Sequence, residues 1–292
     1  MGLVEVYRSY RRADCDERAL VLAAVGIASE LVSLDDSFAL LVPEESVTTA
    51  VTHLKDYGEE SLSRQRQPHP ISAHPGAWLG SAGYALVLVG VTHCAAGDLL
   101  GFDWFSSGEL VSGLLISGEL WRVVTALTLH VDLGHLITNL GFGMLFGYLA
   151  GQLLGPGIAW ASILAAGAFG NFLDALLMPP NHHAIGASTA VFAALGLLAA
   201  YSWRRRSGRS SRWPYRWAPL IAAVALLALL GVGGEHTDVL AHIMGFFAGT
   251  MFGVMYGSLG VARFARALPQ LLAGASTLAV IIGAWLLALI LA

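Results

Sequence analysis

The sequence predicts an all-α polytopic membrane domain behind a small soluble α+β domain, and three observations predict it. First, 56% of the 292 residues are hydrophobic and only 12% are charged, about half the charged share of an ordinary soluble domain. Second, the charge is crowded at one end: residues 1–70 hold twelve of the twenty acidic and seven of the sixteen basic side chains. Third, beyond residue 70 apolar stretches of about 20 residues recur, the length that crosses a bilayer.

The soluble part spans residues 1–70. A helical pattern over 14–25 precedes strand-like runs at 30–34 and 38–42, with Asp35-Asp36-Ser37 as the turn. Pro43 ends the second strand, and a second helix is expected over 46–57 with Ser46 as its cap. No catalytic constellation is visible here, and a domain of this size suits docking or regulation. Residues 64–70, Arg-Gln-Arg-Gln-Pro-His-Pro, read as the linker to a membrane domain over 71–292. The first twenty residues are densely charged and lack the order of a cleavable signal, so the amino terminus is expected in the cytosol. Cys15 and Cys94 are too isolated to suggest a disulfide framework. A net charge of −4 with one basic run between apolar spans gives no nucleic-acid signal.

Membrane spans are expected near 77–96, 134–154, 157–178, 187–203, 217–233, 239–259 and 270–291. The loop 203–216 carries six arginines, which marks it as cytoplasmic, and Arg263 and Arg266 two spans later agree. Counting back returns the amino terminus to the cytoplasm and makes 97–122 an outer loop. Its apolar stretch 110–116 is too short to span and suits the interface. A plasma (inner) membrane location is expected, with the carboxyl terminus outside.

Polar and ionisable groups inside membrane helices are costly, so each is a functional candidate. His130, His135 and Asn139 form one group; His135 and Asn139 share a helical face that continues through Gly143, Gly147 and Gly151. Ser188 lies in Gly186-Ala187-Ser188-Thr189-Ala190, at the first turn of a span, where a serine can equally be a helix cap. His242 follows Asp238 and precedes Gly245, Gly249, Gly253 and Gly257 at intervals of four, a small-residue packing face. Each residue alone has a structural explanation. Together, two glycine-lined helices bearing a serine and a histidine near the outer surface favour nucleophilic catalysis. Serine needs a base within hydrogen-bond reach, which imidazole supplies near neutral pH. The tetrahedral intermediate needs donors, for which the Ser188 backbone N–H, His135 and Asn139 are candidates. Asp174 lies on the third span, but nothing in the sequence pairs it with these two, so the site is read as a dyad.

These residues resemble the motifs of rhomboid intramembrane serine proteases over about 77–259. Trp121-Arg122, preceded by Gly118-Glu119-Leu120, matches the family's first-loop element; His130, His135 and Asn139 match its second-span pattern. Gly-x-Ser-x falls on Gly186 to Thr189, and Ala-His-x-x-Gly-x-x-x-Gly on Ala241 to Gly249. The resemblance implies that Ser188 and His242 are the dyad, that His135 and Asn139 serve the oxyanion, and that Trp121, Arg122, His130, Gly186, Gly245 and Gly249 are motif positions. It implies a six-helix core with a seventh helix at 270–291, transmembrane protein substrates, and lateral access near the fifth span and the loop 231–237. Thr189 departs from the glycine that many members carry after the serine. Two other readings stay open: a non-catalytic relative that binds membrane-protein clients, and a transporter, although neither midplane charges nor inverted repeats are evident. No cofactor or metal is expected, since the helix-borne His-Glu-x-x-His pattern is absent.

Overall fold

The computed structural model describes residues 2–66, 74–207, 213–231, 238–259 and 266–291. The chain divides into two compact units, Met1–Pro70 and Ile71–Ala292. The first begins with β1 (Leu3–Ser9), α1 (Arg12–Ala24), β2 (Glu30–Ser33) and β3 (Phe38–Pro43). A 3₁₀ turn (Glu44–Ser46) then leads into α2 (Val47–Arg66). The antiparallel sheet has the order β1-β3-β2, so β3 is central, and its Leu40 and Val42 pack with Leu22, Ala50 and Leu54. β1 was not anticipated. Glu5 and Arg8 interrupt its apolar pattern, and its register shifts between Glu5 and Tyr7, as suits an edge strand. The second helix starts at Val47 and continues through Arg66, so the linker expected at 64–70 begins as helix; residues 67–70 lie outside the described residues.

The second unit holds α3 (Ala77–Ala96), a 3₁₀ turn (Leu99–Gly101), α4 (Trp104–Gly108), β4 (Leu110–Val111), α5 (Ser112–Ile116) and α6 (Arg122–Thr125). It continues with α7 (Leu133–Leu154), α8 (Pro156–Leu177), β5 (His183–Ala184), α9 (Ser188–Ser207), α10 (Trp213–Leu230), α11 (Val239–Leu259) and α12 (Ala267–Leu291). Six of these, α3, α7, α8, α10, α11 and α12, are long and apolar enough to cross a membrane, which makes this a multi-pass membrane protein. α9 is equally a 20-residue helix, but Arg204, Arg205 and Arg206 in its last turn lower its hydropathy while suiting the negative end of the helix dipole. Before them it is the most enclosed helix, with Val191, Phe192, Leu195 and Leu197 in the largest apolar cluster. The rest of the arginine-rich loop, 208–212, lies outside the described residues, as do 232–237 and Arg263.

The apolar stretch at 110–116 forms no long element. β4 pairs antiparallel with β5, and the N–H groups of Ser112 and Gly113 donate to the carbonyls of His182 and Pro180 at 3.1 and 2.8 Å. α12 is fastened at two levels. Gln270 donates to the Leu154 carbonyl at 2.7 Å and accepts from the Ile158 N–H at 3.1 Å, satisfying backbone groups at the α7–α8 junction that a helix end leaves unpaired. The Trp285 indole donates to Thr128 Oγ1 at 3.1 Å.

α9 meets α11 along a seam of near backbone contact. A Cβ added at Gly245 would stand 2.9 Å from Thr189 Cγ2; at Gly253, 2.8 Å from Ala200 Cβ; at Gly257, 2.7 Å from Arg204 Cβ. At Gly249 it would strike the Ala193 carbonyl. Glycines at steps of four on α11 therefore keep one small-residue face of that helix against α9. Gly249→Val should destabilise the membrane unit by about 1–3 kcal/mol or more through overpacking, seen as a lower thermal midpoint in detergent. Gly141→Ala, where an added Cβ meets nothing within 4 Å, should leave the midpoint unchanged or slightly raised.

Candidate active site

Three helices begin at one end of the membrane unit, and each brings a polar side chain within its first turns. Ser188 is the first residue of α9, His135 the third of α7 and His242 the fourth of α11. Two of these starts are capped alike. Asp132 Oδ1 accepts from the His135 N–H at 2.8 Å, and Asp238 Oδ1 accepts from the Ala241 N–H at 2.9 Å, satisfying donors that a helix start leaves exposed.

The segment entering α9 is held residue by residue. Gly186 has φ +126°, a conformation costly for a residue with a Cβ, and its N–H donates to the Ala126 carbonyl at 2.9 Å. The Ala187 N–H points at His130 Nε2, 3.5 Å away. A Cβ on Gly186 would stand 2.6 and 2.7 Å from the His135 ring and 3.8 Å from Asn139 Nδ2, so both side chains face Gly186, two residues before Ser188. Asn139 is buried, and among the described residues its amide nitrogen has no hydrogen-bond partner. That is a donor held ready beside the nucleophile candidate. Tyr84 donates to the Asn139 carbonyl at 2.9 Å and so secures this turn of α7 from α3.

His242 is 6% exposed, with its Nδ1 3.0 Å from the carbonyl of Gly231. A carbonyl only accepts, so Nδ1 carries the proton and Nε2 presents its lone pair, the tautomer a general base requires. Phe192, one turn beyond Ser188, lies against the imidazole with ring centroids 4.5 Å apart. Ser188 and His242 are not hydrogen-bonded to each other among the described residues; the seam beneath them sets their approach. Gly231 and Phe192 were not anticipated. Neither has catalytic chemistry of its own, and only the spacing of Phe192 from Ser188, one helical turn, was visible in the chain.

Thr189 turns into the helix junction. It is 3% exposed, and its Cγ2 occupies the space that a Cβ on Gly170 of α8 or Gly245 of α11 would enter, at 2.8 and 2.9 Å. Trp121 and Arg122 act on the loop before α7. Arg122, 2% exposed, pairs with Glu119 at 2.7 Å and donates to the carbonyls of Ser106 and Glu109 at 2.9 and 2.7 Å. The Trp121 indole donates to the Ser107 carbonyl at 3.3 Å.

Burial, reinforced by the field of nearby His135, pushes the His130 pKa from its ordinary 6.5 down to about 4. A base with a lowered folded-state pKa contributes stability that is complete above pH 6.5 and is lost as pH falls toward 4, because the unfolded chain takes the proton first. Protonation would also oppose the Ala187 N–H directed at its Nε2. The thermal midpoint of the wild type should therefore drop between pH 7 and pH 4.5 by more than that of His130→Gln; equal drops would remove His130 as the cause.

A profile of the Rhomboid domain matches residues 117–259. Among curated relatives, Rhomboid-like protease 2 of Toxoplasma gondii is 30% identical over 151 residues, 49% of this chain and 51% of the relative. Rhomboid-like protease 1 of the same organism is 28% identical over 152 residues, 49% of each chain. Rhomboid-like protease 3 is 32% identical over 134 residues, 45% of this chain and 49% of the relative. The chain thus spans about half the length of the curated relatives it matches. The domain match runs from the loop before α6 to the end of α11 and takes in Ser188, His242, His135 and Asn139; residues 117–259 of the chain belong to the rhomboid family.

Proposed function

We propose that this protein is an intramembrane serine endopeptidase that hydrolyses peptide bonds in or near transmembrane segments of other membrane proteins. The observation that carries this reading is the tautomer of His242 fixed by the Gly231 carbonyl, which leaves Nε2 as an acceptor on the helix packed closely against the one that Ser188 begins. Ser188 attacks the scissile carbonyl while His242 takes the hydroxyl proton and later returns it to the leaving amine. Charge on the carbonyl oxygen is met by the Ser188 N–H at the positive end of α9, by Asn139 Nδ2 and by His135. Water then hydrolyses the acyl-enzyme with His242 again as base.

In this reading α3, α7, α8, α9, α10 and α11 form the six-helix core and α12 is the seventh span. The arginines at the end of α9 face the cytoplasm of a plasma (inner) membrane, as does residues 1–70, and the site opens to the opposite side. Substrates reach it laterally past α10, which is only 6% buried by the rest of the protein. Residues 1–70 serve docking or regulation.

Ser188→Ala and His242→Ala should each lower cleavage of a transmembrane test substrate by about 10³-fold or more, and Asn139→Ala by about 10²–10³-fold in kcat. A fluorophosphonate should label Ser188 in the wild type and leave Ser188→Ala unlabelled. Activity should also fall on acidification, since imidazolium accepts no proton. Undiminished cleavage by Ser188→Ala would refute the nucleophile. A folded wild type that neither reacts with fluorophosphonate nor cleaves any substrate would favour the client-binding alternative.

A further inference from the structure

A second polar cluster lies beside the dyad without belonging to it. Asp174 comes from the end of α8, His182 from the segment between α8 and β5, and Asp238 from the residue that caps α11. His182 Nε2 is 2.8 Å from Asp238 Oδ2 and 3.3 Å from Asp174 Oδ2. One donor atom from each of the three residues lies within 4.8 Å of the others.

Hydrogen bonding alone does not satisfy this group. Nε2 of a histidine carries one proton or one lone pair, so it serves one carboxylate at a time. The Asp174 side chain is wholly buried, with 0% exposure, and neither of its oxygens has a hydrogen-bond partner among the described residues. The charged groups facing it are His182 and a second acid, Asp238. Two carboxylates around a neutral imidazole carry two negative charges at the buried end of a helix, an arrangement that is strongly unfavourable unless protons or a metal cation balance it.

We propose that Asp174, His182 and Asp238 bind a divalent metal ion of the zinc class. Two carboxylate oxygens supply the two charges that balance the ion, and the imidazole nitrogen favours zinc over calcium or magnesium, which prefer all-oxygen shells of six or more donors. Donors at about 2.0–2.2 Å from a tetrahedral ion stand about 3.4 Å apart, so small side-chain shifts close the site, leaving the fourth position to water. The chain expectation of no metal rested on motif spacing. These ligands are eight and 56 residues apart, which no helical metal motif resembles, and only the fold brings them together. The ion's role is structural. Asp238 uses one oxygen for the cluster and the other to cap α11, so the ion would fasten the end of α8 and the segment leading to Ser188 onto the helix that carries His242.

The test is direct binding to the purified full chain in detergent, stripped with a chelator and then equilibrated with zinc, so it does not depend on protease activity. About one zinc per chain should be retained after desalting, measured by elemental mass spectrometry, and zinc should raise the thermal midpoint. The isosteric Asp174→Asn and the more exposed His182→Ala should retain none above the chelated control and show no zinc-dependent rise. Should the buried Asp174→Asn fail to fold, His182→Ala decides. No retained zinc in the wild type, equal retention in His182→Ala, or an equal rise with magnesium would each overturn the proposal.

Discussion

Everything at the candidate site depends on how closely α9 approaches α11. Where the Gly249 backbone meets the Ala193 carbonyl, no side chain separates the two helices, and dispersion forces act over the shortest distances that packing allows. Such a contact admits little sliding or rolling. Ser188 and His242 have short reach, so only helices locked at this distance keep them in a constant relation. The apolar cluster around Val191, Phe192 and Leu195 completes the enclosure of α9.

Above this seam the backbone is irregular, and its polar groups are satisfied by buried side chains. Arg122 alone neutralises Glu119 and donates to two carbonyls. Thr125 donates to the Gly108 carbonyl at 2.7 Å, and Asn171 to that of Val123 at 3.1 Å. Non-helical chain is tolerated at membrane depth only when such groups are paired within the protein. The loop after α3 is thereby made rigid, and through β4 and the Ala126 carbonyl it holds the turn that delivers Ser188. The polar side chains of this end are thus scaffolding for the candidate site.

Much of this was legible in the chain because membrane helices obey simple rules. Length and apolarity marked α3 and the helices from α7 to α12, though not the short α4, α5 and α6 between them, and the four-residue recurrence of Gly245, Gly249, Gly253 and Gly257 marked the face of α11 that packs on α9. What stayed hidden depends on chain segments far apart in sequence. β1 carries Glu5 and Arg8 and gives little alternation. β4 and β5 are two residues each, below any periodic signal. The Gly231 carbonyl that orients His242 has no side chain to read, and Asp174 was visible as an intramembrane acid whose partners only the fold reveals.

Thr189 sits where three helices converge, opposite Gly170 and Gly245. The volume at that point is a shared quantity: one methyl-bearing side chain is accommodated because two neighbours have none. A glycine at 189 with the other two unchanged would leave a hollow beneath the nucleophile candidate, while any side chain at 170 or 245 would compete for the space Thr189 fills. The three positions therefore share one fixed volume rather than making three independent choices, and a departure at one of them has to be read together with the other two.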